Sequence, residues 1–125
     1  MKHLTAADRD ALATRLEAMK RSVLDEIRDT AADVESNLKP QNHDVQSHDD
    51  EAEAERFGDV RFAEMEIDRT RLHDIEQAQQ RMVDGHYGIC LDCGEDIPRE
   101  RLMALPTAIR CAACQAAAES SARQG

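Results

Sequence analysis

The stretch HYGICLDCGEDIPRERLMALPTAIRCAAC, residues 86–114, contains all four cysteines of this 125-residue chain. They form two Cys-x2-Cys pairs with 17 residues between the pairs. Two residues between thiols let both sulfurs turn toward one ion, and the longer spacer closes a small loop. We predict one structural Zn²⁺ per chain, because four thiolates leave no coordination position for water or substrate. The predicted ligands are Cys90, Cys93, Cys111 and Cys114.

Two redox dithiols or four unliganded thiols are the alternatives to this zinc site. Gly94 favours zinc, because a glycine after the second thiol can take positive φ and turn backbone N–H groups toward sulfur. Between the first and last cysteines, four acids outnumber three bases, a balance that argues against a DNA-binding finger. We expect the three bases, Arg99, Arg101 and Arg110, to lie near the cluster and offset its negative charge.

Composition limits what the rest of the chain can be. The formal net charge is −10, so binding to a nucleic-acid backbone is disfavoured. Leu, Ile, Val and Phe number only 22 and Trp is absent, which excludes a large apolar core. Charged residues interrupt every apolar run, so neither a signal peptide nor a transmembrane helix is expected. We expect a cytoplasmic protein, and in the cytosol thiols stay reduced.

The first third of the chain has the pattern of an amphipathic helix, from Thr5 to about Leu38. Thr5 and Asp8 resemble a capping box with Asp in place of the usual Glu. Pro40 and several turn-forming residues then interrupt the pattern. The apolar residues recur mostly three or four apart, at Leu12, Leu16, Met19, Val23, Ile27, Val34 and Leu38.

A second helical pattern runs from about Glu51 to Asp84, and Gly85 is suited to end it. Asp68 falls where the series of Ile75 would place a core residue, so the helix pairing should be loose and partly solvated. The predicted apolar stripe of this helix consists of Phe57, Val60, Met65, Ile67, Leu72, Ile75 and Met82.

The two helices have nearly equal lengths, which favours an antiparallel hairpin about 50 Å long at roughly 1.5 Å per residue. The predicted fold is mostly α: a long antiparallel two-helix coiled-coil hairpin with a small four-Cys zinc-finger head and a C-terminal helix. We assign residues 1–85 to the arm, with its tip at about 40–50, and residues 86–125 to the head and C-terminal helix. Two separate helices in a compact bundle are the alternative.

Acidic residues are dense at the predicted tip and the start of the second helix. Residues 44–66 contain nine acids and only Arg56 and Arg61 as bases. Acids at a helix N-terminus stabilise free N–H groups and the helix dipole without any further function, so that explanation stays open. His43 and His48 at the turn could join the acids in binding a cation. No arrangement of catalytic residues fits such a thin architecture, so an enzyme is not expected.

The head resembles the DksA/TraR zinc-finger family. The shared pattern is YGxCxxCGxxIxxxRLxAxPTAxxCxxC, which here runs from Tyr87 to Cys114. The resemblance implies a transcription regulator that binds bacterial RNA polymerase, not DNA, and reaches through its secondary channel toward the active site. It implies no membrane, and we expect a monomer.

The tip and the fourth cysteine differ from the family pattern. Best-known members have Asp-x-x-Asp-x-Ala at the tip. Here Asp50 and Ala52 match the last Asp and the Ala, while Ser47 stands at the position of the first Asp. An alignment shifted by one residue puts Asp49 at the second Asp, but it loses the match to Ala. These four residues are the predicted partner-binding tip. Members that respond to the alarmone ppGpp have a basic residue after the fourth Cys, but this chain has Gln115, so an alarmone response is not predicted.

Two functions remain after this comparison. The first is a secondary-channel factor that alters the stability of promoter open complexes. The second is a zinc-stapled interaction adaptor, or silent competitor, which lacks the activity of the tip.

Overall fold

A computed structural model describes the backbone of residues 3–38 and 48–124, and the side chains of residues 3–33, 35 and 56–122. Its helices are α1 (Ala6–Leu38), α2 (His48–Asp84), α3 (Arg99–Ala104) and α4 (Ala112–Gln124). Within the described ranges there is no β-strand, only one isolated antiparallel bridge between Ile89 and Asp96. The prediction of a mostly α fold is confirmed.

The start of α1 is held by a reciprocal capping box. The Asp8 backbone N–H donates to Thr5 Oγ1 at 3.0 Å, and the Thr5 N–H donates to Asp8 Oδ2 at 3.1 Å. Two helix N–H groups that have no intrahelical partner are satisfied in this way. The sequence prediction at this position is confirmed.

The ends of α2 follow the sequence signals, with one correction. The helix begins at His48, so the predicted start at Glu51 is wrong. Asp49 and Asp50 lie in its first turn, where negative charge favours the helix dipole, and this extends the helix toward the N-terminus. At the other end Gly85 has a φ of 78° and its N–H donates to Met82 O at 3.3 Å. The predicted glycine stop is confirmed.

The chain divides into two compact units, one formed by Met1–Lys20 with Asp74–Gly125 and the other by Arg21–His73. In the second unit Arg71 contacts Glu26 at 3.1 Å and Arg61 contacts Asp33 at 3.8 Å. Residue numbers rise along α1 as they fall along α2, so the helices pair antiparallel, as predicted. In the first unit Gln79 donates to Glu17 at 3.0 Å in the same sense. A domain boundary after residue 85 stays a prediction.

The buried face of α2 differs from the predicted apolar stripe. Val60 and Ile67 are 55% and 59% exposed, so their predicted burial is wrong. Seven residues make about two helical turns, so the buried Ile75 places Asp68 and then Arg61 on its own face. Asp68 is only 6% exposed and Arg61 is half-buried. The helical repeat therefore decides which residues of α2 share the face of Ile75, and Val60 and Ile67 lie outside that face.

Polar groups interrupt the contact between α1 and α2 in the second unit. Asp68 is buried together with Thr30, and its Oδ1 lies 3.6 Å from the Arg71 guanidinium. A cavity of about 320 Å³ lies beside both residues. This agrees with the predicted loose and partly solvated pairing.

Most of the buried apolar residues in the described part of the chain belong to the first unit. Tyr87 is fully buried, and its hydroxyl donates to the Pro106 carbonyl at 2.8 Å. A short helix, α3, places Leu102 in the same core. The other fully or nearly fully buried residues of this unit include Leu4, Leu12, Leu16, Ile75, Ala78, Ile97 and Ala108.

Candidate metal centre

The first cysteine pair lies in a tight turn after α2. The Cys90 N–H donates to Glu95 O at 2.7 Å, and the Gly94 N–H donates to Cys90 O at 3.0 Å. Gly94 has a φ of 74°, a conformation that side-chain-bearing residues rarely adopt. The predicted glycine turn after Cys93 is confirmed.

The second pair lies at the start of α4. Cys111 immediately precedes this helix and Cys114 is in its first turn, where the Gln115 N–H donates to Cys111 O at 2.9 Å. A helix N-terminus favours negative charge, so it stabilises thiolates. The Leu91 N–H donates to Ile109 O at 2.8 Å and thereby connects the two cysteine loops.

The four sulfur atoms meet at one point. All of them lie within 4.8 Å of one another, and Cys93 Sγ is 4.0 Å from Cys111 Sγ. Tetrahedral zinc with Zn–S bonds of about 2.3 Å needs sulfurs roughly 3.8 Å apart. None of the four thiols is in a disulfide. The geometry and the donor set fit one structural Zn²⁺, and the residues brought together are the four cysteines that the sequence predicts as its ligands.

Hydrogen bonds lower the pKa of one cysteine thiol of the cluster and raise that of another. The Cys93 backbone N–H is the largest of several donors that lower the pKa of Cys90 to about 6. The neighbouring Cys111 thiol is the main cause that raises the pKa of Cys114 to about 12. Four thiols this close cannot all ionise without a cation, and a bound Zn²⁺ would displace the remaining protons.

Arginines of the head make different contacts from one another. Arg101 Nε donates to Arg110 O at 3.0 Å, and Arg110 Nε donates to Asp92 Oδ2 at 2.7 Å, so both bind the cysteine loops. Arg99 instead pairs with Asp8 of α1 at 3.1 Å. The expectation that all three arginines serve the cluster is therefore wrong for Arg99, because the capping carboxylate of α1 lies within its reach.

Two features of this unit are not predicted by the sequence pattern. His3 Nε2 lies 2.7 Å from the Ile97 carbonyl oxygen, and Leu4 is buried beside Gly88. An apolar residue directly before the N-cap commonly packs against the first turns of its own helix, so the sequence signals a packed Leu4 but not its contact with the head. The second is α3, whose start is marked in the sequence by Pro98.

The predicted tip stays outside the part of the chain whose side chains are described. Ser47 lies outside the described residues altogether. Asp49, Asp50 and Ala52 belong to α2 by their backbone. Their role is still a prediction, as is the suggested cation site at His43 and His48.

A second concave feature lies between α2 and α4. It is a cavity of about 530 Å³ that Asp74, Gln115 and Glu119 line together with Arg101 and Arg110. Both arginines already bind oxygen atoms of the cysteine loops. In the described part of the chain, none of the helices is long and apolar enough to cross a membrane.

Comparison with known proteins identifies the zinc-binding head. The family model of the prokaryotic DksA/TraR C4-type zinc finger matches residues 85–120. General stress protein 16O of Bacillus subtilis is 51% identical over 43 residues, which are 34% of this chain and 26% of that protein. The RNA polymerase-binding transcription factor DksA of Caulobacter vibrioides is 33% identical over 94 residues, 75% of this chain and 63% of that protein. The chain thus spans less than two thirds of these curated relatives.

Solved structures agree on the fold. The transcription factor DksA2 from Pseudomonas aeruginosa superposes with a TM-score of 0.80, over 94% of this chain and 88% of that one, at 24% sequence identity. The four described helices and the cluster of four cysteine sulfurs have the arrangement of a C4 zinc-finger protein. The family match shows that residues 85–120 form a zinc finger of the prokaryotic DksA/TraR C4 type.

Proposed function

We propose that this protein is a transcription regulator that binds bacterial RNA polymerase through the secondary channel and alters the stability of promoter open complexes. It acts by binding, without catalysis and without contacting DNA, as a monomer in the cytoplasm. The observation on which the proposal mainly rests is the 94-residue similarity to a DksA named as RNA polymerase-binding, which extends well beyond the zinc finger.

Charge gives independent support. The chain has a net charge of −10, and nine acids fall within residues 44–66. A surface of this sign repels nucleic acid but is attracted to a basic channel in a protein partner. The zinc site has all four positions filled by cysteine, so it stabilises the head and offers no position for substrate.

A second function has its own support in the sequence. Ser47 stands where DksA-type tips have the first aspartate. A chain with the same head and a weaker tip would occupy polymerase without acting on promoters. This adaptor or silent competitor is the alternative.

Purification of the tagged protein from its own cytosol tests polymerase binding. We expect core RNA polymerase to co-purify, and its absence would contradict both the regulator and the competitor. Transcription from a ribosomal-type promoter then separates these two, because only the regulator changes the open-complex lifetime.

Charge reversal tests the acidic surface. Glu53→Lys should slow association with polymerase and make it less sensitive to salt, because electrostatic steering falls as ionic strength rises. Glu100→Lys, which reverses an exposed acid of α3, is the matched control. Equal association rates for both variants and the wild type would mean that the acids of residues 44–66 are exposed to solvent without contributing to binding.

A further inference from the structure

Two arginines contact equivalent positions of the two cysteine loops. The guanidinium of Arg81, in the last turn of α2, donates to the carbonyl oxygen of Ile89, the residue directly before Cys90. Arg101, in α3, donates through Nε to the carbonyl oxygen of Arg110 at 3.0 Å, the residue directly before Cys111. Each Cys-x2-Cys pair therefore begins at a carbonyl that an arginine holds.

The contact of Arg81 is reinforced along the whole turn that leads to the first pair. Its guanidinium also donates to His86 O at 3.1 Å. Its own carbonyl accepts the N–H groups of His86 at 2.8 Å and Tyr87 at 3.1 Å. The residue thus holds the chain between α2 and Cys90 from both its side chain and its backbone, which limits the directions that the Cys90 thiol can take.

The second arginine is connected to the first loop as well as to its own. Arg110, whose carbonyl Arg101 binds, donates to the carboxylate of Asp92, which lies between Cys90 and Cys93. The side chain of Arg101 therefore fixes a residue that bridges the two pairs. The guanidinium groups of these arginines carry positive charge, opposite in sign to the −2 of zinc with four thiolates.

We propose that Arg81 and Arg101 are positioning residues of the zinc site, which orient the two cysteine pairs by holding the carbonyl before each and supply positive charge to the thiolate cluster. Groups in the layer outside metal ligands orient those ligands, and their loss typically lowers metal affinity about 10–100-fold. This role concerns the zinc site alone, so it stands whether or not the protein binds polymerase.

Zinc release from the full-length, zinc-loaded protein tests the proposal. The rate of transfer to a chromophoric chelator is measured for Arg81→Met, Arg101→Met and the wild type at neutral pH. We expect both variants to release zinc at least about tenfold faster. Arg99→Met is the matched control, since Arg99 lies in the same helix as Arg101 but pairs with Asp8. Its release rate should stay within twofold of the wild type.

Conservative variants and spectroscopy separate positioning from general loosening. Arg81→Lys and Arg101→Lys keep the charge and one donor, so they should recover a large part of the loss, and they remain informative if a Met variant does not fold. With Co²⁺ in place of zinc, the Met variants should show altered d–d bands, whereas Arg99→Met keeps the wild-type spectrum. Unchanged release in the Met and Lys variants, or an equal increase in Arg99→Met, would overturn the proposal.

Discussion

At the scale of single residues, Tyr87 joins the two halves of the head. It is buried beside the apolar core, and its hydroxyl donates to Pro106 O at 2.8 Å. Tyr87→Phe keeps the ring but leaves this carbonyl without its donor, so it should lower the free energy of unfolding by about 0.5–1.5 kcal/mol. Denaturant unfolding of the zinc-loaded proteins measures this, and equal midpoints would contradict it.

The same residue makes the head sensitive to alkali. Burial raises the pKa of the Tyr87 hydroxyl from 10.0 to about 12, although nearby Arg15 acts in the opposite direction. A group whose pKa is raised by folding stabilises the fold below its unfolded pKa and loses that contribution as pH rises.

We therefore expect the wild type to lose stability between about pH 10 and pH 12 relative to Tyr87→Phe. The chain has one Tyr and no Trp, so phenolate absorbance reports this residue directly. A phenol that titrates at its ordinary value in the folded protein would contradict the prediction.

Gln115 decides the expected response to the alarmone ppGpp. It follows the last cysteine and lines the cavity beside α4, where Asp74 and Glu119 balance two arginines that are already hydrogen bonded. A ligand with many phosphate charges finds no unbalanced positive charge there. We expect ppGpp to leave the effect of this protein on open-complex lifetime unchanged, and Gln115→Lys to be the variant that gains a response. A response of the wild type would contradict this.

At the scale of helices, the start of α1 is coupled to the head. Arg99 holds the pKa of the Asp8 carboxyl below its ordinary value of 3.8, and the Thr5 N–H adds to this effect. A carboxylate with a lowered pKa stabilises the fold above its unfolded pKa, and the contribution disappears as pH falls below about 3.8 through the folded value. At neutral pH the contact is therefore at full strength.

A double-mutant cycle with Asp8→Asn and Arg99→Gln should show this coupling at neutral pH, with Asp10→Asn as the exposed control on the same helix. Thr5→Ala, which removes the other half of the capping box, should cost about 0.5–2 kcal/mol. Thermal unfolding measures both effects. Additive effects of the first two changes would mean that the ion pair contributes nothing.

The contact between α1 and α2 contains a polar interruption that can be removed. Asp68 is almost fully buried and its partner Arg71 also contacts Glu26, so the arginine keeps an acid without Asp68. Replacing a buried ion pair by apolar groups of similar size is often neutral or stabilising by about 1–4 kcal/mol, and the usual penalty for removing only one partner is avoided here because Arg71 is solvent-exposed and keeps Glu26.

Asp68→Leu should accordingly raise the melting temperature, whereas Glu66→Leu, at an exposed position, should not. A lower melting temperature for Asp68→Leu would show that the acid stabilises the pairing. The comparison also tests whether the buried carboxylate of Asp68 lowers the stability of the contact between α1 and α2.

At the scale of the whole molecule, the tip decides between the two proposed functions. A carboxylate in an enzyme channel can contact basic groups or a bound metal, and one lost charge-assisted hydrogen bond costs about 1.5–3 kcal/mol. Asp50→Asn should therefore weaken the effect of the protein on promoter open complexes without changing its affinity for polymerase. Ser47→Asp should strengthen that effect.

Melting temperature, measured on the same variants, is the control. If Ser47 only caps α2, its substitution shifts stability by about 0.5–2 kcal/mol and leaves transcription unchanged. An Asp50→Asn protein that melts normally and still acts like the wild type would remove the tip from the mechanism and favour the adaptor.

Local chemistry explains what the sequence alone determined. The paired cysteines, the glycine after the first pair and the capping box act over a few residues, so spacing and residue type predict Cys90 to Cys114 as one zinc site and Thr5 as a helix start. The antiparallel pairing of α1 and α2 also follows, because two long amphipathic helices around a short break have few other ways to bury their apolar faces.

Only the tertiary structure decided which distant residues meet. It buried Asp68 in place of Ile67, turned Arg99 to Asp8, and brought Leu4 and His3 to the head. It also assigned Arg81 and Arg101 to the carbonyls before the two cysteine pairs. These contacts depend on side-chain direction and on chain segments far apart in sequence, whereas periodicity and spacing describe only neighbours along the chain.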